Sequence, residues 1–126
     1  MSVSSRIFIG VTLEFATNLK YADFRKADAF IEAHPELDEY AYNLRTEAEG
    51  KLVLICDGMN GHYLRLIQID KCTYDTHTGY EKDMLDLANH PIPEATIQKF
   101  AELYKEYTGN NVDVDQIKYS MWTQWY

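Results

Sequence analysis

Cys56, His62, Cys72 and His77 are the residues of this chain whose types best suit metal chemistry. Thiolates and imidazoles are the ordinary zinc ligands, and structural sites bring them in close pairs roughly two to four residues apart. Here the gaps are five, nine and four residues. If each cysteine lies on its own arm of a hairpin, the two thiols stand some 20 Å or more apart along the strands. That separation argues against a joint metal site and against a disulfide between them. Cys56 reads as a packed core thiol and the histidines as surface residues. Neither metal nor cofactor is expected. Either cysteine could also be a nucleophile with His34, His62, His77 or His90 as base, which requires a thiolate within reach of the imidazole. Neither cysteine begins a helix, so nothing local lowers a thiol pKa.

Asp113 and Asp115 stand two apart in Asn-Val-Asp-Val-Asp-Gln. Calcium would need several further loop oxygens and a turn glycine. The residues after Asp115 read as a strand, so the pair is expected to be a polar turn. Gly50, Gly58, Gly61 and Gly79 match no phosphate-binding pattern, and no serine lies in a nucleophile elbow. Acid–base pairs of Asp and Glu are built in space and leave no trace in spacing, and His62 or His77 is a further conceivable acid–base group. A small enzyme using such groups is therefore kept as an alternative, and no catalytic residue is assigned.

The elements that would position these groups are set by periodicity. Arg6–Phe15 alternates apolar and polar, which predicts a strand. Tyr21, Phe24, Ala27, Phe30 and Ile31 recur at helical spacing. They predict a helix over 20–33, with Asn18 as cap and Pro35 as terminator. Tyr40–Thr46 alternates and is expected to be a strand. Lys51–Asp57 and Tyr63–Lys71 flank Asp57-Gly58-Met59-Asn60-Gly61, a strong hairpin signal. Glu81–Ala88 offers a short helix. Pro93 opens a second long helix whose inner stripe is Ile97, Phe100, Leu103, Tyr104 and Tyr107, with Gly109 at its C-terminal cap. Val114–Trp125 alternates again. One domain over 1–126 is expected. Its class is α+β: an antiparallel sheet of four or five strands with two main helices on one face. The order is βαββαβ, the ferredoxin-like pattern, or βαβββαβ if the strand at 40–46 is kept.

The hairpin breaks one expectation. A sheet with helices on one side should alternate apolar-in and polar-out, yet both faces of this ribbon are apolar. With an even loop at Asn60-Gly61, parity places Val53, Ile55, Leu64 and Leu66 on one face. Leu52, Leu54, Cys56, Ile67 and Ile69 then take the other. Leu52, Leu54, Ile67 and Ile69, with Trp122 and Tyr126 from the last strand, form a face that something must cover. The cover is either another part of the chain, from 72–92 or Pro35–Tyr40, or a second copy in a homodimer.

The formal charge of −8 and the pI near 4.8 oppose binding to nucleic acid or anionic membrane surfaces. No run of the ~18 apolar residues that cross a bilayer occurs. Few cysteines and no signal-peptide pattern predict a reduced, cytoplasmic protein. From Glu32 to Glu49 acids dominate, with tyrosines among them. Glu36, Asp38, Glu39, Tyr40, Tyr42, Glu47 and Glu49 are the expected partner-binding surface, since tyrosines supply contact area and acids steer a basic partner. The expected function is macromolecular binding by a small acidic inhibitor, adaptor or accessory protein of the kind mobile elements such as phages carry. The alternative is an oligomeric sensor domain for a small molecule or nucleotide.

Overall fold

Alternating residues build β1 over Ser5–Ala16, and helical spacing builds α1 over Tyr21–Ala33. The hairpin strands are β2, Leu52–Asp57, and β3, Tyr63–Tyr74. The second long helix is α2, Glu94–Thr108, and the last strand is β4, Lys118–Trp125. This computed structural model describes residues 5–57, 63–74, 86 and 89–125. The short helix expected at 81–88 lies outside the described residues apart from Asp86, as do the hairpin turn at 58–62, His62, His77 and Tyr126.

Local chemistry sets the ends. Asn18 takes a left-handed turn, φ 53°, and is not the helix cap. Asp23 instead accepts the Lys20 N–H at 2.8 Å, which ties down the first turn of α1. α2 ends where expected: Gly109 is left-handed, φ 79°, and its N–H reaches the Lys105 carbonyl at 2.8 Å. β4 begins later than the alternation suggested, because Asp113 accepts the Asp115 N–H and starts a 3-10 turn over Val114–Gln116.

The strand expected at 40–46 does not form. Side-chain acceptors draw the backbone into turns instead. Asp38 accepts the Tyr40 N–H at 2.9 Å and opens a 3-10 turn over Glu39–Ala41. Asn43 accepts the Arg45 N–H, and Glu47 accepts the Asn43 N–H, both at 3.1 Å.

Among the described residues the sheet has four strands in the order β2-β3-β1-β4, with every neighbouring pair antiparallel. With the two long helices among the described residues this is an α+β arrangement, and its strand order is consistent with a ferredoxin-like fold carrying additional 3-10 turns. Both helices share one face, where Phe30 and Ala27 of α1 and Phe100, Leu103 and Tyr107 of α2 bury against Val11, Leu13, Leu54 and Leu66.

The hairpin register corrects the expected face assignment. Val53 pairs with Ile67, Leu54 with Leu66, and Cys56 with Leu64. The connection 58–62 is odd in length, and one step of register exchanges faces. Leu52 and Leu54 therefore belong with the helix-covered core, whereas Ile67, Ile69 and Trp122 lie opposite, with Val53, Ile55 and Phe8.

That second face is covered within the chain. Leu44 and Ala48 pack onto it from the stretch between Tyr42 and Gly50. The sheet also curls over it. Trp122 pairs across β1 with Phe8, which pairs with Cys72 on β3. Tyr63 lies nine residues along β3 from Cys72, about 30 Å on a straight strand. Yet the Trp122 indole N–H donates to the Tyr63 hydroxyl, with the ring centroids 5.3 Å apart. Only a strongly coiled sheet brings these ends together. Register breaks at Ile9/Gly10 and Glu14/Ala16 supply the added twist. At the first break the strands approach so closely that a Cβ on Gly10 would fall 2.0 Å from the Gln68 carbonyl oxygen.

Candidate functional site

The acidic stretch meets the sheet at Glu39, which is 6% exposed. The Arg6 Nη2 donates to Glu39 Oε1 at 2.7 Å, and the Arg6 Nε donates to Gln124 Oε1 at 2.5 Å. Glu39 also accepts from the Gln124 side chain and from the Cys56 backbone N–H. One carboxylate thus joins β1, β4 and the outer edge of β2. Burial pushes its pKa above the ordinary value, outweighing the Arg6 charge and the hydrogen bonds that pull it down. Beside it Asp38 forms a single parallel bridge to Leu54, holding the turn against the β2 edge.

This anchoring creates a groove of about 370 Å3 between α1, the Asp38–Tyr40 turn and β2. Its apolar lining comes from Phe24, Ala27, Ile31, Leu54 and Leu64. Asp28 and Asp38 stand among these, and Tyr40, 87% exposed, lies at the lip. Among the described residues no Lys or Arg lines the groove. The charge on Glu39, and to a lesser degree burial, makes Tyr40 hold its phenolic proton above the usual range. The phenol is therefore a neutral donor at physiological pH. An apolar floor with carboxylates and no cation suits a long basic side chain, whose stem is oily and whose tip is charged.

The seven residues expected to bind a partner do not form one surface. Asp38, Glu39 and Tyr40 line the groove, but the Glu39 carboxylate is turned inward and fully engaged, so it is not a docking group. Its burial was not visible in the sequence, where it reads as one acid among several. Glu36 and Tyr42 are joined beside the groove, the Tyr42 hydroxyl donating to the Glu36 carbonyl at 2.8 Å. Tyr42 also carries the Lys51 ammonium 4.6 Å from its ring centre. Glu47 and Glu49 line a separate small cavity with Arg45 and Cys72. Asp28 is the groove residue that the sequence pattern did not single out. Its signal was present: Asp28 sits four residues after Phe24 and three before Ile31, on the same face of α1.

The expected cover face is also divided. Leu54, Ile67 and Ile69 are buried, Leu52 is half-buried, and Trp122 is 9% exposed. Cys56 packs toward the helix-side core and Cys72 toward the second-face core. Burial lifts the Cys72 pKa to about 11, so it is a thiol at neutral pH and a poor nucleophile. Among the described residues no group of three or more His, Cys, Asp or Glu is placed to hold a metal ion. No helix among them is long and apolar enough to cross a membrane.

Compared with models of known protein families, with curated proteins and with solved structures, the chain matches none.

Proposed function

We propose that this protein acts by binding a partner protein with a basic surface, and that the contact is made at the groove between α1 and β2. The supporting observation is the groove's composition: an apolar floor, carboxylates at Asp28 and Asp38, an exposed Tyr40 and no lining cation among the described residues. A partner lysine or arginine lays its stem on Phe24, Ile31 and Leu54 and places its charge between the two aspartates. Tyr40 adds the kind of rigid aromatic contact that dominates protein interfaces. The net charge of −8 steers such a partner toward the protein and repels nucleic acid. An inhibitor or adaptor of cytoplasmic setting fits this chemistry, neither described cysteine being in a disulfide. A homodimer through the second sheet face has no part in this reading, since that face is covered by Leu44 and Ala48.

The test uses the purified chain as bait in an extract of its source, beside the variant Asp28→Lys/Asp38→Lys. A partner held by the natural protein, released by rising salt and lost by the variant supports the reading. The same partner held equally by both proteins contradicts it.

A further inference from the structure

A second cleft, of about 540 Å3, lies where β1 outruns β4, beside the connection from α2. Its volume is within the range of about 300–1,000 Å3 usual for small-molecule sites, but such sites are mostly apolar. This one is mostly polar. Thr12 and Glu14 line it from β1, Arg65 from β3, Lys118 and Ser120 from β4, and Asp113 from the connection. Tyr104 of α2 supplies an aromatic wall.

Two features narrow the ligand. The first is charge. Arg65 and Lys118 balance Glu14 and Asp113, so the lining has no formal net charge. Arg65 is already engaged: it reaches Glu14 at 3.5 Å and lies 4.8 Å and 5.0 Å from the ring centres of Tyr63 and Trp122. An anion that met Arg65 would meet the Glu14 carboxylate too, and a cation that met Glu14 would meet the guanidinium. The paired charges favour a ligand without charge.

The second feature is the mixture of donors and acceptors. Guanidinium and ammonium groups only donate, and carboxylates only accept. An apolar ligand would bury both kinds unpaired, at a cost. A hydroxyl donates and accepts, so one set of hydroxyls serves every group. Thr12 and Ser120 already behave this way, since their oxygens stand 2.8 Å apart and either can be the donor. The edge of β1 adds backbone groups of both kinds. Thr12 with Lys118 is the last pair between β1 and β4, and no described strand pairs with Leu13–Ala16 on that side.

We propose that this cleft binds a neutral polyhydroxylated ligand, a small saccharide. Its hydroxyls donate to Glu14 and Asp113 and accept from Arg65 and Lys118, with the Arg65–Glu14 pair left intact. Its C–H face packs on Tyr104, whose ring meets that of Phe15 edge to face with centroids 5.7 Å apart. The proposal stands apart from the groove and its partner, because the two sites share no lining residue.

NMR titration of the full chain tests it with glucose, galactose, mannose, N-acetylglucosamine, maltose and lactose at millimolar concentration. At least one sugar is expected to shift the backbone amide signals of Leu13, Lys118 and Ser120 saturably. The uronic acid and amino forms of the same ring should gain less than about tenfold in affinity, since no unpaired charge awaits them. Lys118→Met and Gln116→Ala change exposed residues of the lining. Each should weaken the sugar about threefold or more, while Asp28→Lys in the groove leaves it unchanged. No shift with any sugar, a gain above tenfold for a charged form, or undiminished binding by both cleft variants would overturn the proposal.

Discussion

The Arg6 guanidinium sits 2.7 Å from the Glu39 carboxylate, and the two side chains are only 11% and 6% exposed. The pair fastens the acidic stretch to the sheet, and through Gln124 and the Cys56 N–H it ties the two edge strands together. Removing Glu39 leaves the Arg6 charge largely buried without its carboxylate. Glu39→Ala should therefore destabilise the fold by about 3–5 kcal/mol. Urea denaturation checks this. In the double variant Arg6→Met/Glu39→Leu the loss should be well below the sum of the single changes, because the stranded charge disappears.

Glu39 also predicts a pH dependence with a definite sign. Burial raises its pKa in the folded protein above the ordinary 4.5. The folded state then holds the proton more tightly than the unfolded chain does. The stability linked to this proton is fully present below 4.5 and is lost as pH rises through the folded value. Glu39→Gln cannot titrate. The difference in denaturation midpoint between the natural protein and E39Q should thus change across weakly acidic pH, with the natural protein losing ground as pH rises.

Gly10 is required by close approach. A methyl group there meets the Gln68 carbonyl oxygen, a backbone atom that cannot rotate away. Gly10→Ala should cost about 1–3 kcal/mol, toward the upper end for overpacking, and should weaken β1–β3 pairing. Thermal unfolding with hydrogen exchange at Ile69 and Val11 measures both effects.

Leu44 is 4% exposed and lies over the second face of the sheet. Leu44→Ala should lose about 2–5 kcal/mol, the usual range for a buried leucine. It should also increase binding of a hydrophobic dye, because Val53, Ile55 and Ile67 lose part of their cover.

Much of the architecture was legible because it rests on local repetition. Phe24, Ala27, Phe30 and Ile31 announce α1, and Ile7 to Phe15 announce β1. The face assignment of the hairpin was not, since an odd rather than an even connection reverses it and both choices look equally apolar. Tyr40 to Thr46 alternate like a strand, but Asp38, Asn43 and Glu47 each accept a nearby backbone N–H and convert the segment to turns. That turn segment is also what covers the second face, so the oily ribbon was explained by a neighbour read as another strand. The candidate site was partly legible. Asp38 and Tyr40 were found from composition, whereas Asp28 joins them only through packing of α1. The role of Glu39 depends on Arg6, 33 residues earlier, and Gln124, 85 residues later, and no spacing rule links such distant positions.

Docking of a partner at the groove beside Tyr40 is open to a direct measurement. A photo-crosslinking amino acid is placed at Tyr40, 87% exposed, and as a control at Val114, 56% exposed. Substitutions at such exposed positions are expected to alter stability by no more than about 0.5 kcal/mol. Groove docking predicts one discrete crosslinked protein from position 40, absent from position 114 and absent when Asp28→Lys/Asp38→Lys is added. Crosslinks of equal yield at both positions, or a position-40 crosslink indifferent to the charge reversal, would contradict it.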